Sequence, residues 1–267
     1  MEDLTRLLKG HEILPENRTF MEHSLRLRTL RSSASTKKGI LQPLPMSSGT
    51  LEQSEAHMNH ALLGACDGES LLYNTVATAK VVKSEWSPEL TSQLLYGPAN
   101  RNARTEVVDL ILSALLVAFK RWRKVKQIEI CFESHGRTLD DESMDLSRAV
   151  GWFTYMMSAS YCIHDDFDRL IAEVKEQRSM AVRNADLSMP FTGFDHHAPV
   201  VTFNYSGAYS SHIDDGVFTL VDIGENRADE DPCNRRPAII DVGCGISDGI
   251  LATNIIYSTT LHNEEEM

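Results

Sequence analysis

The sequence predicts an α+β fold in which a mixed sheet is covered by helices. Three observations carry that expectation. Short β-branched or alternating segments recur, among them Gln127-Ile128-Glu129-Ile130-Cys131-Phe132 and Val200-Val201-Thr202-Phe203-Asn204-Tyr205. Residues 105–122 are apolar on nearly every side (Val107, Leu110, Ile111, Leu112, Leu115, Leu116, Phe119), as expected of a helix buried in a core. Phe167, Leu170, Ile171 and Val174 recur at i, i+3, i+4 and i+7, the spacing of a helix with one buried face.

Taken in order, residues 2–31 read as two helices separated by a turn at Pro15-Glu16-Asn17. Phe20, Ser24, Leu27 and Leu30 stand near helical spacing on the second. Ser, Pro and Gly clusters in residues 31–60, including Pro43, Pro45 and Gly49, read as a loop or linker. The expected organisation is therefore helices and linker over 1–60, then a lobe over 61–267. Residues 74–82 alternate and read as a strand. Ser87 caps a helix that begins at Pro88 and ends near Gly97-Pro98. After the apolar helix, the strand at 127–132 delivers Glu133 to a loop. Asp165-Asp166 cap the helix that follows. The strand at 200–205 is broken by Gly207, and later strands are expected at 217–223, 238–242 and 250–257.

A length of 267 residues allows one large or two small domains. Hydrophobic content of 42% and charged content of 24% suit a globular protein. A formal charge of −12 without any basic, aromatic-interleaved stripe argues against a nucleic-acid partner. The five cysteines, Cys66, Cys131, Cys162, Cys233 and Cys244, form no CxxC pair, which favours reduced thiols over a disulfide framework. The N-terminus lacks an apolar signal core, and the longest apolar run is interrupted by Asp109 and too short to span a membrane. These features predict a soluble cytoplasmic chain with no membrane partner.

Chemistry-bearing residues concentrate at 129–154. Glu133 ends a strand and precedes Ser134-His135-Gly136-Arg137. An acidic turn then leads to Asp145, Arg148 and Gly151-Trp152-Phe153-Thr154. A strand end is a rigid support from which a loop presents functional side chains. His135 and Arg137 either orient Glu133 and a substrate or hold the loop through Asp145 and backbone carbonyls. Arg148 and Asp145 read as a structural ion pair, and Trp152 and Phe153 as core. Asn204 and Tyr205 either pack or serve the site.

Two other patterns carry less. Asp195, His196 and His197 are adjacent with no second ligand cluster, and His212 stands alone before Ile213, so no metal is expected. Ile239-Ile240-Asp241-Val242-Gly243-Cys244-Gly245 looks like the glycine-rich motif of S-adenosylmethionine methyltransferases. Too little chain follows it to build further βα units, and a hairpin with glycine turns at 243–249 is expected instead.

ESHGRT and MDLSRAVGWFT resemble the EGHGRE and iDlsrTVGWFT signatures of the epimerization domains of nonribosomal peptide synthetases, a branch of the condensation-domain superfamily. Further segments match in order. Asp3-Leu4-Thr5-Arg6-Leu7-Leu8-Lys9-Gly10 resembles the segment downstream of the family's first motif. Asn102-Ala103-Arg104-Thr105 with Asp109-Leu110-Ile111-Leu112 resembles its buried helix. Val174-Lys175-Glu176-Gln177 resembles the vKeq helix, and Thr202-Phe203-Asn204-Tyr205-Ser206-Gly207 resembles the FNYLG strand.

The resemblance implies a chloramphenicol-acetyltransferase-like fold of two lobes around a cleft, of which this chain supplies one lobe and a connecting segment. It implies α-carbon epimerization of thioesters presented on the phosphopantetheine arm of a carrier protein, with no cofactor bound by the chain itself. By motif position Glu133, Asn204 and Tyr205 are the catalytic candidates, with His135, Arg137, Asp145 and Arg148 orienting substrate or loop. Departures from the pattern are Ser134 for Gly, Thr138 for Glu, Ala149 for Thr and Ser158 for Pro. The lobe bearing the HHxxxDG motif is expected to lie before the start of this chain, and the family's last helices beyond its end. The expectation is a partial epimerization/condensation-like domain of secondary metabolism, not competent alone. Its expected partners are a peptidyl carrier protein or synthetase module, a separate N-terminal lobe, or a second copy. The alternatives are a noncatalytic docking module or remnant, and an enzyme completed in trans by a partner His.

Overall fold

The computed structural model describes residues 2–13, 19–36, 74–98, 100, 105–135, 145–188, 200–209, 212–213, 218–219 and 230–267. Its helices are α1 (Glu2–Leu8), α2 (Phe20–Thr36), α3 (Pro88–Tyr96), α4 (Val107–Arg123) and α5 (Phe167–Ser188). Its strands are β1 (Ala79–Glu85), β2 (Gln127–His135), β3 (Thr154–Cys162), β4 (Val201–Tyr209), β5 (His212–Ile213), β6 (Phe218–Thr219), β7 (Ile240–Ser247) and β8 (Ile250–Ser258). Six of them form one sheet in the order β1-β8-β7-β4-β2-β3, while β5 pairs with β6. Pairs β2–β4 and β4–β7 are parallel and the rest antiparallel, which makes the expected mixed sheet.

Local chemistry explains the helix starts. Ser87 Oγ accepts from Leu90 N at 3.3 Å ahead of Pro88, as the cap-then-proline pattern requires. Asp166 Oδ1 accepts from Arg169 N at 3.1 Å at the start of α5. Helix α4 ends with Lys120, Arg121 and Arg123 in its last turn, where cations complement the helix dipole.

The core lies between one sheet face and helices α4 and α5. Leu112, Leu116 and Phe119 of α4 and Leu170 and Val174 of α5 are buried against Ile128, Ile130, Phe132, Val201, Phe203, Ile240 and Val242. On β7 buried and half-buried residues alternate without exception, so a single face meets the core. Burying each such aliphatic or aromatic side chain stabilises the fold by about 1.5–3 kcal/mol.

Several expectations need correction. The segment expected as a strand at 74–82 opens with a 3-10 turn, Val76–Thr78, and the strand runs over Ala79–Glu85. There Val76 N and Ala77 N bond to Asn234 O and Pro232 O, so the chain turns before it extends. Strand β3 was not foreseen. Strand β4 continues through Gly207, whose φ of 87° absorbs a register shift between Tyr205 and Ala208 as a bulge. Helix α2 continues through Ser32 to Thr36, into residues expected as linker. The later strand begins at Ile240, and the strand expected at 217–223 is described only at Phe218–Thr219. Strands β7 and β8 form the expected hairpin, closed by Asp248 (φ 50°) and Gly249 (φ 79°), the Asp-Gly pairing of a two-residue turn.

The Pro15–Asn17 turn, residues 37–73, Asn102–Arg104 and Asp195–His197 lie outside the described residues. Among the described residues no helix is long and apolar enough to cross a membrane.

Candidate active site

Strands β2 and β4 lie side by side and parallel, with Cys131 opposite Thr202 and Phe132 opposite Phe203. Phe132 and Phe203 are both buried in the helix-covered core. The next residue on each strand is exposed, because side chains alternate across a pleated sheet. Those residues are Glu133 and Asn204, and Asn204 Nδ2 donates to Glu133 Oε2 at 3.3 Å. Glu133, expected in a loop, lies inside β2, and the pair stands one residue beyond Phe132 and Phe203, where the parallel β2–β4 register ends.

A cleft of about 370 Å³ opens there. Val108, Leu112, Phe132, Val182 and Phe203 form its apolar floor, and Glu106, Glu133, Thr154, Arg178, Asn204 and Ser206 supply polar groups. Tyr205 lines the same cleft from the core side, packed against the apolar cluster. Burial, with a smaller contribution from Cys244, raises its phenol above the ordinary value, which keeps it neutral.

Sequence reasoning missed a network beside this cleft. Arg178 Nε donates to Asp109 Oδ1 at 2.7 Å, and Arg178 Nη2 to Glu106 Oε2 at 2.7 Å. The Asp109 side chain is 1% exposed, and its Oδ2 accepts from Glu106 N at 3.0 Å at the start of α4. Burial works against the charge on Arg178, but hydrogen bonding and attraction to Asp109 and Glu106 outweigh it and raise its pKa. Two signals were present in the sequence. Asp109 interrupts an otherwise apolar run, and Arg178 sits four residues after Val174 on the apolar face of α5.

The remaining candidates fall around the loop that leads into β3. His135 ends β2 in register with Thr154; its side chain, that of Ser134, and all of Gly136, Arg137 and Thr138 lie outside the described residues. Asp145 Oδ1 accepts from Ser147 N at 3.0 Å and so shapes the turn. Arg148 Nη2 donates to Asp3 Oδ1, which ties the loop to α1. Phe153 is buried with Leu146 and Ala149, and the Phe20 ring of α2 meets it edge-on at 5.0 Å. Trp152, expected in the core, is 79% exposed. Phe153 takes the inward position beside it, and Gly151 lies so close to Phe20 that a Cβ there would sit 2.5 Å from the ring. The intervening side chain therefore turns outward.

Among the described residues no group of three or more His, Cys, Asp or Glu side chains is gathered to hold a metal ion. Cys131 and Cys244 are buried free thiols and Cys162 and Cys233 exposed ones.

The condensation-domain family model matches residues 71–196, a span that contains Glu133 and the network around Arg178. The chain is 28% identical over 223 residues to nonribosomal peptide synthetase 5 of Gibberella zeae, a match that covers 78% of this chain and 2% of that protein. It is 35% identical over 150 residues to nonribosomal peptide synthetase 1 of Aspergillus fumigatus, covering 51% of this chain and 2% of that one. Among solved structures, the epimerization domain from the third module of tyrocidine synthetase B superposes with a TM-score of 0.71 at 20% identity, covering 98% of this chain and 59% of that chain. The present chain thus spans a small part of the curated synthetases and a little over half of that solved domain.

Proposed function

This chain belongs to the condensation-domain superfamily of nonribosomal peptide synthetases, and we propose that it is the Glu133-bearing lobe of an epimerization-type active site. We assign residues 61–267 to the lobe and residues 1–60 to an N-terminal segment, whose α1 and α2 meet the lobe at Asp3–Arg148 and Phe20–Phe153. The observation that carries the reading is the Asn204–Glu133 hydrogen bond between parallel strands β2 and β4, inside a cleft with an apolar floor.

The chemistry follows from that arrangement. A thioester acidifies the α-carbon it carries. Glu133 takes the α-proton as the C–H bond breaks, and the electron pair moves onto the thioester oxygen as an enolate. The Asn204 amide holds one carboxylate oxygen and leaves the other to face the substrate. Inversion requires that a proton return from the opposite side of the carbon, so a single carboxylate supports exchange but not inversion. The family's HHxxxDG histidine would supply that second group, and the motif does not occur in these 267 residues. In this reading it comes from chain outside them. The substrate is an aminoacyl or peptidyl thioester on the phosphopantetheine arm of a peptidyl carrier protein, the partner this cleft serves. Asp145, through Ser147 N, and Arg148, through Asp3, hold the surrounding loop, with Tyr205 as a neutral wall.

The test is α-proton exchange into deuterated water from an aminoacyl-carrier thioester, using this chain together with an HHxxxDG-bearing lobe of the same superfamily. Exchange that disappears in Glu133→Gln supports the reading. Exchange that survives the substitution refutes it.

A second reading, a noncatalytic module that docks on a synthetase, is favoured by a separate observation. Leu7 and Leu8 of α1, Met21 and Leu25 of α2, and Val150 and Trp152 of the adjoining loop are all more than half exposed. Apolar side chains concentrated in this way mark surfaces that meet another protein. Under this reading the chain co-elutes with a synthetase module, and no exchange occurs in any mixture.

A further inference from the structure

We propose that β3 is a pairing edge through which two copies of this chain join their sheets, antiparallel and centred on Ser158. The pairing does not depend on the thioester reading of the cleft.

The phase of the β2–β3 ladder decides which backbone groups are left over. Ile163 N donates to Lys126 O at 2.8 Å, in line with the antiparallel register that sets Gln127 opposite Cys162. Hydrogen-bonded pairs alternate from there, so Tyr161, Ala159, Met157 and Tyr155 bond to β2 through their backbones. Thr154, Met156, Ser158, Ser160 and Cys162 turn their N–H and C=O groups the other way, and β3 is the last strand of the sheet. Among the described residues no hydrogen bond reaches those outward groups. An open edge of this kind is a template for another strand.

Composition selects the occupant. The opposite edge, β1, carries Lys80, Lys83 and Glu85, the charges with which sheets blunt an edge. The nine residues of β3 include no charge and no proline. Ser158 stands where the resembled signature has proline, and it supplies the outward N–H that proline lacks. A second copy added about a twofold axis at Ser158 sets Ser158 opposite its own equivalent, Met156 opposite Ser160 and Thr154 opposite Cys162. Every one of these pairs is neutral, so the like-charge repulsion that opposes self-pairing of a charged strand is absent. By strand spacing and rise, the two Glu133 residues then stand about 20 Å apart. Neither reaches the other's cleft, so pairing leaves the chemistry of each site unchanged.

Sedimentation equilibrium of the full chain is the test. The wild-type chain is expected to dimerise reversibly at micromolar concentration, as suits an interface below the standard size. Ser158 is exposed, so Ser158→Lys sets two ammonium groups face to face at the axis and is expected to weaken the dimer at least about tenfold. Ser158→Glu is expected to do the same. An equimolar mixture of these two variants places opposite charges across the axis and is expected to recover the dimer, which neither a misfolded variant nor a contact elsewhere would do. Ser158→Pro, which removes the outward N–H, is expected to be monomeric with a native circular dichroism spectrum. A wild-type chain that stays monomeric overturns the inference, as does a Lys/Glu mixture that fails to pair. A dimer that persists in Ser158→Lys but is lost in Trp152→Ser assigns the contact to the exposed surface around Trp152 and overturns it too.

Discussion

Asp109 and Arg178, 69 residues apart, meet at 2.7 Å beside the cleft and join the first turn of α4 to α5. The same carboxylate accepts from Glu106 N, so one buried side chain both caps a helix and neutralises a cation. Removing it leaves a guanidinium that is mostly buried with only the exposed Glu106 to answer it. Asp109→Ala is therefore expected to destabilise the fold by about 3–5 kcal/mol. The double variant Asp109→Leu/Arg178→Met, which removes both charges, is expected to recover most of that loss. Urea unfolding of the three proteins checks both statements, and an undiminished loss in the double variant would show that the cap, not the ion pair, dominates.

Asn204 contributes differently. It is exposed and its amide reaches Glu133 across solvent-facing sheet, so Asn204→Ala should change stability by no more than about 0.5 kcal/mol. Proton exchange in the reconstituted site should still fall at least about tenfold, because Glu133 loses the group that orients it. A variant that keeps full exchange would remove Asn204 from the mechanism.

Gly151 allows the 145–153 loop to sit against α2. A methyl group at this position meets the Phe20 ring, so Gly151→Ala should destabilise by about 1–3 kcal/mol through overpacking. Phe20→Ala in the same chain should restore part of it, while Trp152→Ala, at an exposed position, should be nearly neutral. Thermal unfolding of the three variants distinguishes a local clash from a general intolerance of the loop.

Burial pushes the Cys244 thiol from 9.0 up to about 12 and raises Cys131 as well. Well below pH 9 these thiols are protonated in folded and unfolded chains alike. As pH rises past that point the unfolded chain loses its protons first, so stability should fall between pH 9 and about 12. At pH 8 iodoacetamide should modify Cys233 in the native protein and reach Cys131 and Cys244 only after denaturation, a pattern read by peptide mass spectrometry.

Some of this architecture was legible in the residues and some was not, for physical reasons. Helices α4 and α5 were readable because a packed helix repeats its apolar positions within a few residues, and β2 because its isoleucines alternate. Strand β3 was not. Its buried set is Met157, Ala159 and Tyr161, a mixture of sizes and polarity that carries no β-branched signal. Glu133 and Asn204 were named from motif order, but their contact depends on the parallel pairing of β2 with β4. That pairing joins segments far apart in the chain, and no local period encodes it. Arg178 was overlooked because a charged residue on an apolar helix face reads as an interruption until its partner on another helix is seen.

The measurement that bears most directly on the central claim is α-proton exchange from an aminoacyl-carrier thioester in deuterated water, with the HHxxxDG lobe present. The account predicts deuterium incorporation with wild-type chain and none with Glu133→Gln, although both fold. Incorporation at equal rates with the two chains would contradict it.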